Sequence, residues 1–142
     1  MFLNKPGKMI EYWFFEIEKH FCQIKCIANQ VMPNHIHCFI EITKCEKMTG
    51  EVFAKANTSR PNNLLATRPS ASSLFQVLQW FKTMTTNDYI KNVKENHWLR
   101  FEQKLWQRSY YEHVIRDEDE FEHAILYIQR NPERWLKDEY NL

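Results

Sequence analysis

Two β-compatible stretches joined by a tight turn place the strongest limit on what this chain can fold into. Residues 31–42 read V-M-P-N-H-I-H-C-F-I-E-I, and Met32-Pro33-Asn34 supplies the turn. Proline fixes φ, and asparagine tolerates the compact backbone that follows. After the turn Ile36, Cys38, Ile40 and Ile42 alternate with other residues, with Phe39 the one apolar intruder. A strand has a side-chain period of two, so His35, His37, Phe39 and Glu41 share one face and the aliphatic residues the other. The stretch before the turn, F-C-Q-I-K-C-I-A-N-Q-V over residues 21–31, is β-compatible but alternates imperfectly. So short a connection implies an antiparallel hairpin.

Helical periodicity flanks the hairpin. In residues 9–21 the apolar positions Ile10, Trp13, Phe14, Ile17 and Phe21 make an amphipathic stripe, and nothing before residue 8 reads as a strand. Ser72 or Ser73 is placed to cap a second helix running to about Val93, with a stripe of Leu74, Val77, Leu78, Phe81, Met84 and Thr85. Asp117 starts a third, with Glu120 at the N3 position of a capping box; Asn131-Pro132 should stop it at about Arg130. Tyr110–Ile115 reads as a further strand. Residues 45–73, rich in Asn, Ser, Thr and Pro, are expected to form a mobile loop inside a single domain spanning 1–142. A polar tail follows residue 132, with Trp135 and Leu136 as docking residues.

Composition excludes several classes. With 44% hydrophobic and 15% aromatic residues the chain can bury a core. Two glycines rule out a glycine-rich phosphate loop. No apolar run reaches membrane-spanning length and no signal-peptide core is present, so a cytoplasmic protein is expected. Cys22, Cys26, Cys38 and Cys45 follow no zinc-ribbon spacing and are expected to be free thiols. The net charge of +1 hides a modestly basic stretch, 74–116, with seven Lys/Arg against four Asp/Glu, and an acidic one, 117–142, with three against eight. In the basic stretch aromatics and arginines interleave between Asn96 and Arg116, as in a stacking platform for single-stranded bases or in a core strand with a polar outer face.

Two imidazoles side by side on a strand are the start of a divalent metal site, because neutral imidazole is the commonest protein ligand for such ions. Two solvated histidines on a half-buried strand would give the same pattern. On the third helix His123, Tyr127 and Asn131 are spaced i, i+4, i+8 and form a polar stripe beside the apolar one of Phe121, Ala124, Ile125 and Ile128. A phenol attacks poorly unless a base or cation helps it ionise. A metal on His35 and His37, with the amide oxygen of Asn131 as third ligand, would polarise a phosphodiester beside Tyr127. An exposed tyrosine and a C-terminal cap asparagine fit the same spacing.

Four motifs in order, M-P-N-H-I-H at 32–37, F-K-T-M-T-T at 81–86, W-Q-R-S-Y-Y-E-H-V-I-R at 106–116 and Y-I-Q-R-N-P at 127–132, resemble the single-tyrosine transposases of the His-hydrophobic-His endonuclease superfamily, especially the group of REP-associated tyrosine transposases. The resemblance implies an α+β, ferredoxin-like fold, an antiparallel sheet with helices packed on one face. It implies cleavage and rejoining of single-stranded or hairpin DNA through a 5′-phosphotyrosine link, without ATP. It makes Tyr127 the nucleophile and His35, His37 and Asn131 the ligands of Mg²⁺ or Mn²⁺. Lys82, Arg108 and Arg116 are then candidate DNA contacts, with His113 and His123 as auxiliary residues. Such transposases carry a segment ahead of the first helix, with a strand central to the sheet, whereas here the chain begins almost at the helix. The expectation is an open sheet edge able to pair with a second copy. An alternative of another class is a catalytically inactive DNA- or RNA-binding module; a zinc-binding protein is a third.

Overall fold

The first helix, α1 (Lys5–His20), begins where the side chain of Asn4 accepts a hydrogen bond from the Gly7 N–H at 2.9 Å. Pro6 lies in its first turn, where an N–H would have no partner in any case. The cap carries the helix back beyond residue 9, where its apolar stripe starts. Phe14 and Ile17 are its most buried residues. The computed structural model describes residues 3–43 and 73–135. The loop expected at 45–73 lies outside the described residues except for Ser73, as do the tail beyond Trp135 and its Leu136.

The hairpin forms as expected. β1 (Ile24–Val31) and β2 (Ile36–Ile42) pair antiparallel, and the Met32 N–H donates to the His35 carbonyl across the turn at 2.8 Å. The imperfect alternation of β1 has a structural cause. The register shifts between Cys26 and Ala28, so Ile27 is the extra residue of a bulge. That shift reverses the phase: Ile24, Cys26, Asn29 and Val31 lie opposite Ile42, Ile40, Cys38 and Ile36, while Ala28 and Gln30 lie opposite Phe39 and His37. Without it Ile24 and Val31 would face opposite sides, yet both are buried.

α2 (Leu74–Glu95) starts with a reciprocal capping box between Ser73 and Gln76. It packs on α1, and the Trp13 indole N–H donates to the Asp88 carboxylate at 2.7 Å between them. Phe14, Ile17, Ile24, Val77 and Phe81 make the core, with Cys26, Ile36 and Ile40 against it. Burying a side chain the size of Phe14 contributes about 2–3 kcal/mol. The α+β class is therefore as expected, with α1 and α2 on the aliphatic face of an antiparallel sheet. α3 (Glu118–Arg134) adds a layer on the other face, the one that carries the histidines, where Phe121 meets Phe39 with ring centroids 5.2 Å apart. The small Ala28 sits opposite Phe39 on that face, and α3 packs against both strands.

Between α2 and α3 the chain departs from expectation. Tyr110–Ile115 is not a strand, and none of its backbone groups pairs with another backbone group among the described residues. A strand exists only beside a partner, and the described sheet holds β1 and β2 alone. The segment is instead held at its ends. Lys82 donates to the carbonyls of Gln107 and Arg108, and Asp117 caps α3 through the Glu120 N–H at 2.8 Å. The Glu120 carboxylate reaches the Arg116 N–H rather than that of the cap residue, a box displaced by one position. α3 also runs through Pro132 instead of stopping before it. So close to the helix end, the ring removes only the bond to the Ile128 carbonyl.

Cys22 is disulfide-bonded, which corrects the expectation of four free thiols; Cys26 and Cys38 are free. No helix among the described residues is long and apolar enough to cross a membrane.

Candidate functional site

The turn and α3 bring three of the named residues to one place. His35 immediately precedes β2 and His37 lies on it, and their Nε2 atoms are 2.9 Å apart. Two ligands held at right angles on one ion, each about 2.1 Å away, are separated by about 3 Å. The two imidazoles therefore already have the bite that a single divalent ion needs. The Asn34 amide oxygen lies 2.7 Å from Nδ1 of His35; with Nδ1–H as the donor, that contact orients the ring with its Nε2 towards His37. Sequence reasoning gave Asn34 a role in the turn only. A side chain adjacent to a metal-ligand candidate, with an acceptor oxygen, was the signal that could have found it.

α3 crosses this face with Tyr127 over His37. The ring centroids are 5.3 Å apart and the planes stand at 83°, and nearly half of the tyrosine remains open to solvent. A phenol so placed is both next to the imidazoles and reachable by a large substrate. Trp135, one residue beyond α3 and expected as a docking residue of the tail, lies against His35 with ring centroids 6.0 Å apart.

Asn131, one turn after Tyr127, is buried at 3% exposure inside the helix rather than at its cap, and its Nδ2 has no hydrogen-bond partner among the described residues. A buried amide with an unused polar atom costs about 1–3 kcal/mol. The orphaned atom is the amide nitrogen, a donor, whereas a metal ion would take the amide oxygen, so this atom does not itself argue for a metal. The donor set of two neutral imidazoles and one amide is compatible with Mg²⁺ or Mn²⁺ completed by water and phosphate oxygens. Among the described residues no group of three His, Cys, Asp or Glu is placed to hold a metal ion.

The other candidates lie elsewhere. His123 is exposed and makes no side-chain hydrogen bond or ring contact with the described residues. The His113 Nε2 is 3.7 Å from the Glu120 carboxylate at the start of α3, an exposed pair that is an ion pair only when the imidazole is protonated. Arg116 precedes the Asp117 cap with its side chain exposed. The Lys82 ammonium, 2.7 Å from the Gln107 carbonyl, fixes the chain path after α2, and partial burial lowers its pKa from the usual lysine value. Arg108 is exposed. Lys82 and Arg108 lie together on the α2 side, across the sheet from the histidines.

No protein-family model matches the chain. No solved structure matches it. A protein of Haemophilus influenzae described only as an uncharacterized protein aligns with it at 31% identity over 146 residues, an alignment that covers 98% of this chain and 71% of the relative. The chain belongs to the family of that Haemophilus influenzae protein.

Proposed function

We propose that the chain is a metal-dependent, single-tyrosine transposase or endonuclease that cuts and rejoins single-stranded or hairpin DNA. What carries the reading is the meeting of the hairpin and α3: paired Nε2 atoms 2.9 Å apart with the Tyr127 ring against one of them. The ordered motifs that resemble the single-tyrosine transposases supply the reaction class.

In this reading the Tyr127 oxygen forms a bond to phosphorus while the bond from phosphorus to the 3′ oxygen breaks. The phenol proton leaves to a base, and the departing 3′ oxygen takes up a proton. A 5′-phosphotyrosine and a free 3′-hydroxyl result, and attack by another 3′-hydroxyl reverses the step. Bound Mg²⁺ or Mn²⁺ would polarise the phosphodiester and neutralise charge that develops on it. His35, His37 and Asn131 would hold the ion, Asn34 orients His35, and the packing of Phe121 on Phe39 sets where Tyr127 stands on the sheet. A cytoplasmic location belongs to the same proposal, because the substrate is DNA.

The test is to incubate the protein with labelled hairpin DNA and Mn²⁺ and to resolve the products under denaturing conditions. A protein–DNA adduct that is absent from Tyr127→Phe supports the reading. An adduct that persists in that variant removes the nucleophile. Hairpin binding without any adduct favours the inactive nucleic-acid-binding module, for which the lack of a three-residue His, Cys, Asp or Glu cluster among the described residues is the structural argument.

A further inference from the structure

The open sheet edge expected from the sequence is the outer side of β2. Antiparallel strands are bonded to each other through alternate residues. The Thr43 N–H donates to the Gln23 carbonyl at 2.7 Å and the Met32 N–H to the His35 carbonyl at 2.8 Å, which fixes the phase. His37, Phe39 and Glu41 therefore bond to β1, and Ile36, Cys38, Ile40 and Ile42 turn their backbone groups away from it. None of those outward groups has a backbone partner among the described residues. The outer edge of β1 differs, because the Glu18 carboxylate accepts from the Cys26 N–H and the bulge at Ile27 interrupts the spacing. On the aliphatic face α1 packs on β1 rather than β2, and Ile42 is 52% exposed. On the histidine face Glu41 is exposed, and Lys25, opposite it on β1, makes no ion pair with it.

We propose that two copies of the chain join through these edges, antiparallel about Phe39, and that each lends Glu41 to the imidazole pair of the other. The strand is its own complement in that register. Ile36 meets Ile42 and Cys38 meets Ile40, so every outward group finds a partner, and Phe39 meets Phe39 across the two-fold axis. His37 then stands directly opposite the partner's Glu41. Sliding the pair by two residues leaves outward groups at one end unused and sets Phe39 opposite His37 or Glu41. A strand of unrelated sequence would satisfy the backbone without bringing a carboxylate to this place. Distance decides what that carboxylate can do. Within one chain Glu41 is about 13 Å along the strand from His37, too far to share an ion, whereas across the new pair the Cβ atoms are about 5 Å apart. Mg²⁺ and Mn²⁺ favour carboxylate oxygen, and among the described residues a single chain offers the imidazoles none. The helices leave room. Because α3 reaches over β1 as well as β2, its two copies would stand about 10 Å or more apart, an ordinary helix-packing distance. The ligand role rests on the metal reading of His35 and His37; the pairing of the edges does not.

Sedimentation in EDTA, without DNA, tests the pairing by itself. A dimer is expected, and a chain that stays monomeric up to about 100 µM overturns the proposal. Ile40→Cys tests the register. On mild oxidation the introduced thiol should link to Cys38 of the partner subunit, because opposed Cα atoms about 5.5 Å apart suit a disulfide. Mass spectrometry of the linked peptides reads the result, and a dimer that yields no such link overturns the register. Mn²⁺ binding followed by electron paramagnetic resonance tests the ligand. Glu41→Gln should still dimerise and should bind Mn²⁺ at least about 10-fold more weakly. The deciding sample mixes Glu41→Gln with His35→Ala/His37→Ala and lets the subunits exchange. A mixed pair sets the imidazoles of one chain beside Glu41 of the other, so tight binding should return. Weak binding in a sample shown to contain mixed pairs overturns the shared site, as does unchanged affinity in Glu41→Gln alone. A parent that dimerises but binds no Mn²⁺ overturns the ligand role and the metal reading together. None of these readouts uses DNA, so their failure and that of the adduct assay are told apart.

Discussion

Asn34 serves the turn and the imidazole at once, and its effect on the proposed metal binding can be isolated. Asn34→Ala removes the acceptor for His35 Nδ1–H, and loss of such a ligand-orienting partner typically costs 10–100-fold in metal affinity. Titration with Mn²⁺ followed by electron paramagnetic resonance should show that weakening, and His35→Ala with His37→Ala should abolish the site. Metal binding unchanged in the double variant would place the ion elsewhere. His97 offers a second residue-level test. It holds φ at 54°, the left-handed region, just after the Asn96 cap of α2. A residue with a Cβ pays about 1–2 kcal/mol there, so His97→Gly should raise stability by about 1 kcal/mol and Tm by a few degrees. A lower Tm would mean that the imidazole makes a contact worth more than the strain. Burial at the bulge pushes the Cys26 thiol up to about 12, while its Sγ–H donates to the Phe14 carbonyl. The folded pKa lies above the unfolded value, so the stability from the neutral thiol is complete below about pH 9 and is lost as pH rises from there towards 12. Denaturant melts should show a shallower alkaline decline for Cys26→Ala than for the parent.

At the scale of elements, the hairpin and the N-terminal caps of α2 and α3 were legible because their signals are local. Met32-Pro33-Asn34, Ser73 and Asp117 act on backbone groups within a few residues. What was hidden depends on partners distant in sequence. The Ile27 bulge is visible only once the register of β2 is known, and the string Tyr110–Ile115 has strand composition but no pairing neighbour among the described residues. Pro132 misled for a different reason: the stop signal assumes a helix whose later carbonyls need partners, and α3 ends within two residues of it. The elements differ in what holds them. Phe14 is 1% exposed at the junction of α1, β1 and α2, so Phe14→Ala should cost about 3–5 kcal/mol by chemical denaturation. Phe121→Ala, on the partly covered face of α3, should cost less but loosen the Tyr127 helix, with little change in the rest of the amide exchange protection. Uniform loss of protection would mean that α3 and the α1–α2 core unfold as one unit.

Across the described residues the molecule is built on a two-stranded sheet with one aliphatic face and one that carries the histidines. The aliphatic side of the hairpin is covered by α1 with α2 behind it, and the other side carries two imidazoles under a tyrosine helix. Sequence periodicity placed His35 and His37 together, and helix spacing placed Tyr127 with Asn131, but only folding could bring the two halves into contact. The burial of Asn131, which a cap residue would not show, was beyond the reach of spacing alone. The central claim is that the phenol on α3 is the group that takes the DNA. It is tested most directly by digesting the adduct formed with hairpin DNA and Mn²⁺ and mapping the nucleotide by mass spectrometry. The expected result is one modified peptide from α3 with the phosphate on Tyr127. A nucleotide on the exposed Tyr110 or Tyr111 instead would contradict the account.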